Sequence, residues 1–330
     1  KITKITPPVT GTAKITKITP PVAGPVFCMA NGEAVPGRHI RPTVGGSVFL
    51  LCSGPGLKTL DLDKLYQPGI RTMAVNNAAK LFRPDYWTHV DAADHFIRSI
   101  FLDDRIVKFS PYNLRNGRLF DSDAWQWTDT KVQDCPNVYF YRRHTGFNAE
   151  TFLYDNSICW GNDEKTGGAR SVMLVAIRIL YDLGYRRVYI LGADFNMKTD
   201  YAYAFPQDRS DKSVSNNNYT YRTLNERFKA ARPHFEAAGF HVFNCNPDSG
   251  LKAFPYISFD EAVNEARLPI DVKAERTEGL YDRAKPKVEI KWAVSTPKPG
   301  ACIVVAADSR QEDLLQWWHG NLRRYHQDIP

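Results

Sequence analysis

The residues Thr166-Gly167-Gly168-Ala169-Arg170 lead into an apolar-striped segment over 171–183, closed by Gly184. A buried-type strand follows and ends at Gly192-Ala193-Asp194-Phe195. A glycine turn that opens a helix directs unpaired backbone N–H groups and the positive end of the helix dipole at one spot, an arrangement suited to phosphate. The strand would deliver Asp194 to its carboxyl end, the edge at which open α/β sheets bind ligands. Thr166, Gly167, Gly168, Asp194 and Phe195 are therefore candidates for a nucleotide site.

Ser53-Gly54-Pro55-Gly56-Leu57 repeats the theme after the apolar run 47–52. It lacks the Gly-Lys-Ser/Thr ending of a Walker loop and is not GxGxxG, so it stands as a phosphate-loop candidate only. The next strand runs into Asn76-Asn77, whose amides can pair with a ribose or a base edge or simply form a turn. A third strand ends at Asp91, followed by Asp94 and His95; this carboxylate suits a general base or a helix cap. His144, in the basic turn Arg142-Arg143-His144, is a second candidate base, although a basic turn also suits a solvated surface. His89 alternates within its strand and reads as structural. Asp61-Leu62-Asp63 matches the DxD of metal-dependent sugar transferases, but it opens a helical segment where acidic residues favour the dipole. No metal site is expected.

These residues need a scaffold. Alternation predicts strands at 47–52, 72–76, 86–91, 105–109, 137–141, 187–194 and 241–244, and helices at 59–66, 171–183 and 223–238. Strands and helices alternating in this way predict an α/β fold, a Rossmann-like, mainly parallel sheet with helices on both faces. Between 196 and 221 the chain turns polar and rich in Asn, Ser and Tyr, which reads as a lid. Tyrosines at both ends, Tyr203 and Tyr219 among them, are placed to grip a phosphate when a lid closes.

Residues 1–43 read as a flexible segment carrying a repeat, Lys1–Val9 returning at 14–22, either a tether or a docking strand. Residues 44–266 form the nucleotide-binding unit. Residues 267–299 read as a linker, and 300–330 as a β–α unit that cannot bury its own faces, either an appendage on the main sheet or the start of a second domain of a longer protein. Six scattered cysteines without a CxxC pair fit a reduced, cytoplasmic chain. There is no run apolar enough to span a membrane. The net charge of +7 favours anionic partners, but the basic residues are dispersed, so nucleic acid is the lesser reading.

In this order, the Gly54 loop, Asn76, the Thr-Gly-Gly turn, Leu183-Gly184-Tyr185-x-x-Val188-Tyr189-Ile190-x-Gly192-x-Asp194-Phe195 and Tyr203-Ala204-Phe205 resemble the sialyltransferases of glycosyltransferase family 42. They also resemble the related Rossmann-like group of motility-associated glycosyltransferases and hydroxymethylpterin pyrophosphokinase-like proteins. The resemblance spans about 47–263. It implies a GT-A-like sialyltransferase fold and a site formed by Ser53, Gly54, Pro55, Gly56, Asn76, Asn77 and Thr166–Gly168. That site would take a CMP-linked sugar as substrate, without a tightly bound cofactor, with Tyr203 and Tyr219 on the leaving phosphate. Glycan or protein hydroxyls would be the acceptors. Three departures alter the chemistry: Arg222 falls where the family has a catalytic His, Asp91 where it has Asn, and Ser53 where it has Asn or a similar residue. Asp91 or His144 would then act as base. An ATP- and magnesium-dependent pyrophosphokinase-like enzyme, or a degenerate scaffold domain, are the other functions implied.

Overall fold

The computed structural model describes residues 26–40, 46–67, 69–161, 170–198, 202–205 and 210–267. The Lys-Ile-Thr repeat, the Thr166-Gly167-Gly168 turn, the linker and the terminal β–α unit lie outside the described residues.

In chain order the elements are β1 (Phe27–Cys28), β2 (Ala34–Val35), α1 (Gly37–Ile40), β3 (Ser47–Leu51), β4 (Thr72–Val75), β5 (Tyr86–Thr88), α2 (Arg98–Leu102) and β6 (Val107–Pro111). They continue with β7 (Arg118–Asp121), β8 (Gln126–Lys131), β9 (Val138–Tyr141), β10 (Arg143–His144), β11 (Ile158–Cys159) and α3 (Val172–Asp182). The last are β12 (Arg187–Leu191), α4 (Asp211–Ala237), β13 (His241–Asn244) and α5 (Phe259–Arg267).

Among the described residues, nine strands form one sheet in the order β13-β12-β3-β4-β5-β6-β9-β1-β2. Every neighbouring pair from β13 to β9 is parallel, and β1 alone runs against the rest. This is the mainly parallel α/β sheet that the strand–helix alternation predicts. Parallel strands covered on both sides read as continuous apolar runs, and β3 shows why. Val48 and Leu50 pack in the cluster holding Leu174, Ile177, Leu224 and Phe228 of α3 and α4. Phe49 and Leu51 point the other way, into the cluster holding Phe101 of α2 and Phe259 and Val263 of α5.

Several elements depart from the sequence reading. Residues 26–40 join the sheet rather than a flexible segment reaching 43, because Val26, Phe27 and Cys28 bury an apolar run against β9. Residues 59–66 do not form one helix. Two short 3₁₀ turns, Pro55–Thr59 and Leu62–Leu65, stand there, with Leu57, Leu60, Leu62 and Leu65 packed at close to threefold spacing. The helix expected from 223 begins at Asp211, so much of the supposed lid is helical. The Ser210 hydroxyl caps it by accepting from the Ser213 N–H. The β7–β8 hairpin and the short parallel pair β10–β11 complete the fold.

Candidate functional site at the sheet's switch point

From β3 the chain builds the sheet outward through β4, β5, β6 and β9, then crosses back to place β12 and β13 on the other side of β3. The order therefore reverses between β3 and β12, and ligands of open α/β sheets bind in the crevice outside such a switch point. A cleft of about 380 Å³ opens there. Pairing of Leu191 with Leu51 puts Ser53 and Gly54 level with Ala193 and Asp194 at its floor. Asn76 follows β4 and Asp91 follows β5; both line it, as do Trp160, Arg170, the first residues of α3, Tyr203 and one face of α4.

The Gly54 loop is not a free phosphate cradle. Its Gly54 N–H donates to the Gly192 carbonyl (2.8 Å), its Leu57 N–H to the Gly54 carbonyl (3.2 Å), and its Gly56 N–H to Asp194 Oδ2 (3.0 Å). Asp194 accepts a second bond from the Asn246 side-chain amide. Asp194 thus clamps the loop, and the expectation that these N–H groups would hold phosphate is corrected by their partners. A Cβ on Gly54 would run into the Asp194 carboxylate and the Gly192 carbonyl, and one on Gly56 would sit 2.5 Å from Asp194 Oδ1. Burial pushes the Asp194 carboxyl above its ordinary range, while the bonds from Gly56 and Asn246 pull it back.

A cationic corner supplies what the loop does not. The Trp160 ring carries the Arg143 guanidinium 4.0 Å from its centroid and that of Arg170 at 5.4 Å. Arg143 Nη1 donates to the Val90 carbonyl (2.7 Å). Burial lowers the Arg143 pKa; the charges of Tyr141 and Asp91 oppose that, and Arg170 adds to it. Ser171 caps α3 by accepting from the Met173 N–H at 3.0 Å, and its own N–H donates to the Trp160 carbonyl at 2.9 Å. Arg170, Ser171 and Val172 then bring a guanidinium and the positive end of an eleven-residue helix to the cleft.

Asp91 is exposed on the cleft wall, and its backbone is strapped in place. The Tyr141 hydroxyl donates to the His89 carbonyl (2.7 Å), Arg143 to Val90, and His89 Nδ1 lies 2.8 Å from the Asp91 carbonyl. His89 is fully buried, stacked on Trp87 at 4.8 Å, and burial lowers its pKa to about 4. It is therefore neutral near pH 7, so Nδ1 is assigned the proton it donates to Asp91. Asn76 adopts a left-handed backbone (φ 49°), its carbonyl accepts from Trp87 Nε1 (2.8 Å), and its Oδ1 is buried without a partner among the described residues. Asn77 turns away, its amide reaching the His95 carbonyl (3.4 Å).

Among the described residues of the long polar segment, Asn196, Met197, Ala202 and Tyr203 line the cleft. The Ala204 N–H donates to the Ser53 carbonyl (2.9 Å), tying the Tyr203 segment to the Gly54 loop, and the Tyr203 and Phe205 rings stack at 5.4 Å. Asn218 and Met197 exchange two bonds, the Met197 N–H to Asn218 Oδ1 (2.8 Å) and Asn218 Nδ2 to the Met197 carbonyl (2.9 Å). On α4, Asn217, Thr220, Tyr221 and Leu224 form the cleft-facing stripe at helical spacing. Phe195 lines the cleft and stacks on Tyr221 at 4.9 Å.

Besides Asn77, three expected residues fall elsewhere. Tyr219 and Arg222 lie off that stripe; Tyr219 is exposed, with Arg222 6.0 Å over its ring. His144 does not line the cleft, and its ring nitrogens meet Ser157 Oγ (2.8 Å) and the Gly146 carbonyl (3.1 Å). Ser53, Gly54, Pro55, Asn76, Asp91, Asp194, Phe195 and Tyr203 do come together on the cleft, while Gly56 sits behind it on Asp194. Trp160, Tyr221, Asn217 and Asn246 were not legible as site residues. Only the Tyr-x-Tyr repeat at 219–221 hinted at the second. Among the described residues, no group of three or more His, Cys, Asp and Glu side chains could hold a metal ion, and no helix is long and apolar enough to cross a membrane.

No protein-family model and no curated protein matches the chain. Among solved structures it is similar to the MAf glycosyltransferase of Magnetospirillum magneticum AMB-1, at 11% identity and a TM-score of 0.37, over 73% of this chain and 36% of that one. It thus spans little more than a third of that structure's length. It is also similar to the sialyltransferase CstII of Campylobacter jejuni, solved with cytidine-5'-monophosphate (13%, TM-score 0.37, 66% of this chain and 86% of that one). A mammalian sialyltransferase aligns at 10% identity and a TM-score of 0.36, over 64% of this chain and 74% of that one. The structural neighbours named here are glycosyltransferases at low identity.

Proposed function

We propose that the chain is a glycosyltransferase that moves a sugar, of the sialic-acid type, from a CMP-linked donor to a hydroxyl acceptor in the switch-point cleft. The observation that carries the proposal is the meeting in one cleft of Arg170, the start of α3 and the exposed carboxylate of Asp91. The ordered motifs from the Gly54 loop to Tyr203 point to a sugar nucleotide as the anion concerned.

In this reading the acceptor oxygen bonds to the anomeric carbon as that carbon's bond to the phosphate oxygen breaks. The phosphate oxygen keeps the electron pair, and its growing charge is met by Arg170 and the α3 dipole. The acceptor proton passes to Asp91, the one candidate base found on the cleft. Asn76 lines the cleft, and a turn of its side chain would bring the buried, unpaired Oδ1 to a nucleoside hydroxyl or amine. Tyr221, with Tyr203, takes the phosphate-side role that Tyr219 was expected to fill.

The test is release of CMP from CMP-linked sugars by the purified chain, with Asp91→Asn beside it. We expect release to fall by about 10²–10⁴-fold in the variant while CMP still binds. Turnover of ATP with magnesium, and none of any CMP-sugar, would replace this reading with pyrophosphoryl transfer. Inertness toward both would leave a scaffold domain.

A further inference from the structure

The β7–β8 hairpin carries an aromatic group that the cleft does not use. Leu119 is buried beneath it, while its outer face presents Phe120 paired across the strands with Trp127. Trp125 in the turn is 80% exposed and Trp127 is 48% exposed. Both indoles meet Phe120 in T-shaped pairs, at 5.3 Å and 83° and at 5.2 Å and 70°, and neither is stacked flat against that ring. Trp125 also holds a left-handed backbone (φ 49°), an unfavourable conformation for so bulky a residue. Asp129 and Arg118, an ion pair at 3.8 Å, lie on the same hairpin.

From this geometry we infer that the hairpin is a binding platform for pyranose rings of a glycan chain. The C–H face of a pyranose carries small positive charges and packs on the negative face of an indole, while its hydroxyls need directional partners beside the ring. Two exposed indoles flanked by a carboxylate and a guanidinium supply both. A protein partner needs about 800 Å² on each side, and two or three rings interrupted by charges offer far less. A sugar needs only one or two rings.

The position gives the platform a purpose. β7 packs against the Ala93–His95 turn, two residues beyond Asp91, and Arg98 pairs with Asp121 at the hairpin (2.7 Å). The hairpin therefore stands next to the wall of the cleft that carries the candidate base. It is placed to hold the acceptor chain beside the reacting hydroxyl. This use of the platform rests on the proposed transferase reading; its sugar binding does not.

The test is retention of the full chain on an immobilised panel of neutral and acidic oligosaccharides, compared with Trp125→Ala/Trp127→Ala and with Asp129→Asn. CMP-induced thermal shift is measured on the same samples. We expect at least one oligosaccharide class to be retained, and its affinity to fall about tenfold or more in the double variant with the CMP shift unchanged. Trp127→Phe should keep part of the binding, which separates loss of a stacking face from loss of fold. No retained oligosaccharide, or equal retention by the double variant, overturns the inference. So does concentration-dependent dimerisation of the parent that the double variant abolishes, since the occupant would then be a second copy. Loss of the CMP shift with sugar binding intact would sink the transferase reading and leave the platform standing.

Discussion

Gly56 and Asp194, 138 residues apart in the chain, are joined by a 3.0 Å hydrogen bond from the Gly56 N–H to the Asp194 carboxylate. The bond locks the loop after β3 to the loop after β12, the two strands between which the sheet reverses its order. The floor of the cleft is thereby built before any ligand arrives.

Breaking this clamp should cost stability from either side. Gly56→Ala places a methyl group against Asp194 and Asn246, and Asp194→Asn sets an amide donor against the Asn246 amide. Each is expected to lower stability by about 1–3 kcal/mol. The two should be non-additive in a double-mutant cycle followed by urea denaturation; strict additivity would mean the clamp is not a unit.

Asp194 also has a pH signature. Its folded pKa is raised by burial, so the native state keeps a proton that the unfolded chain releases. The stability it contributes is full below the ordinary carboxylate range and is lost as the pH rises through the raised value. The deficit of Asp194→Asn relative to the parent should therefore be larger near pH 4 than at pH 7. A deficit that grew with pH would reverse the assignment.

His89 works in the opposite sense. Its pKa falls from 6.5 to about 4 on burial, so the unfolded chain takes up a proton that the native state refuses. The stability it contributes is present above about 6.5 and is lost as the pH falls toward 4, by up to roughly 1.4 kcal/mol per pH unit. His89→Phe should remove that slope from the difference profile against the parent. Equal slopes in both proteins would show that His89 is not buried as described.

The two tyrosines two positions apart on α4 separate the cleft face from the outer face. Tyr221→Ala should weaken CMP binding by about five- to tenfold, because Tyr221 lines the cleft and stacks on Phe195. Tyr219→Ala should leave it unchanged. Calorimetric titration decides, and the reverse pattern would return the phosphate-side role to Tyr219.

The sheet was legible because its strands are buried on both faces and read as unbroken apolar runs between glycine turns. The carboxyl-end residues Asn76, Asp91 and Asp194 followed from that alone. The start of α4 was hidden because its inward residues are polar: Asn217 and Tyr221 face a cleft, and Asn218 bonds the Met197 backbone, so the apolar stripe becomes regular only from Leu224. The roles of Asp194 and the Gly54 loop could not be seen either. Whether a turn's N–H groups are free depends on Gly192 and Asp194, which tertiary structure brings in from far along the chain. Trp160 gave no signal, since it becomes a site residue only through the guanidiniums of Arg143 and Arg170 over its ring.

The central claim is that the cleft between β3 and β12 binds a nucleotide through Arg170 and the start of α3. The most direct test is calorimetric titration of CMP, without metal, into the parent chain and Arg170→Ala. We predict binding by the parent that weakens with added salt, and about tenfold weaker binding by the variant with a shallower salt dependence. Undetectable binding by the parent, or equal affinity in the two proteins, would contradict it.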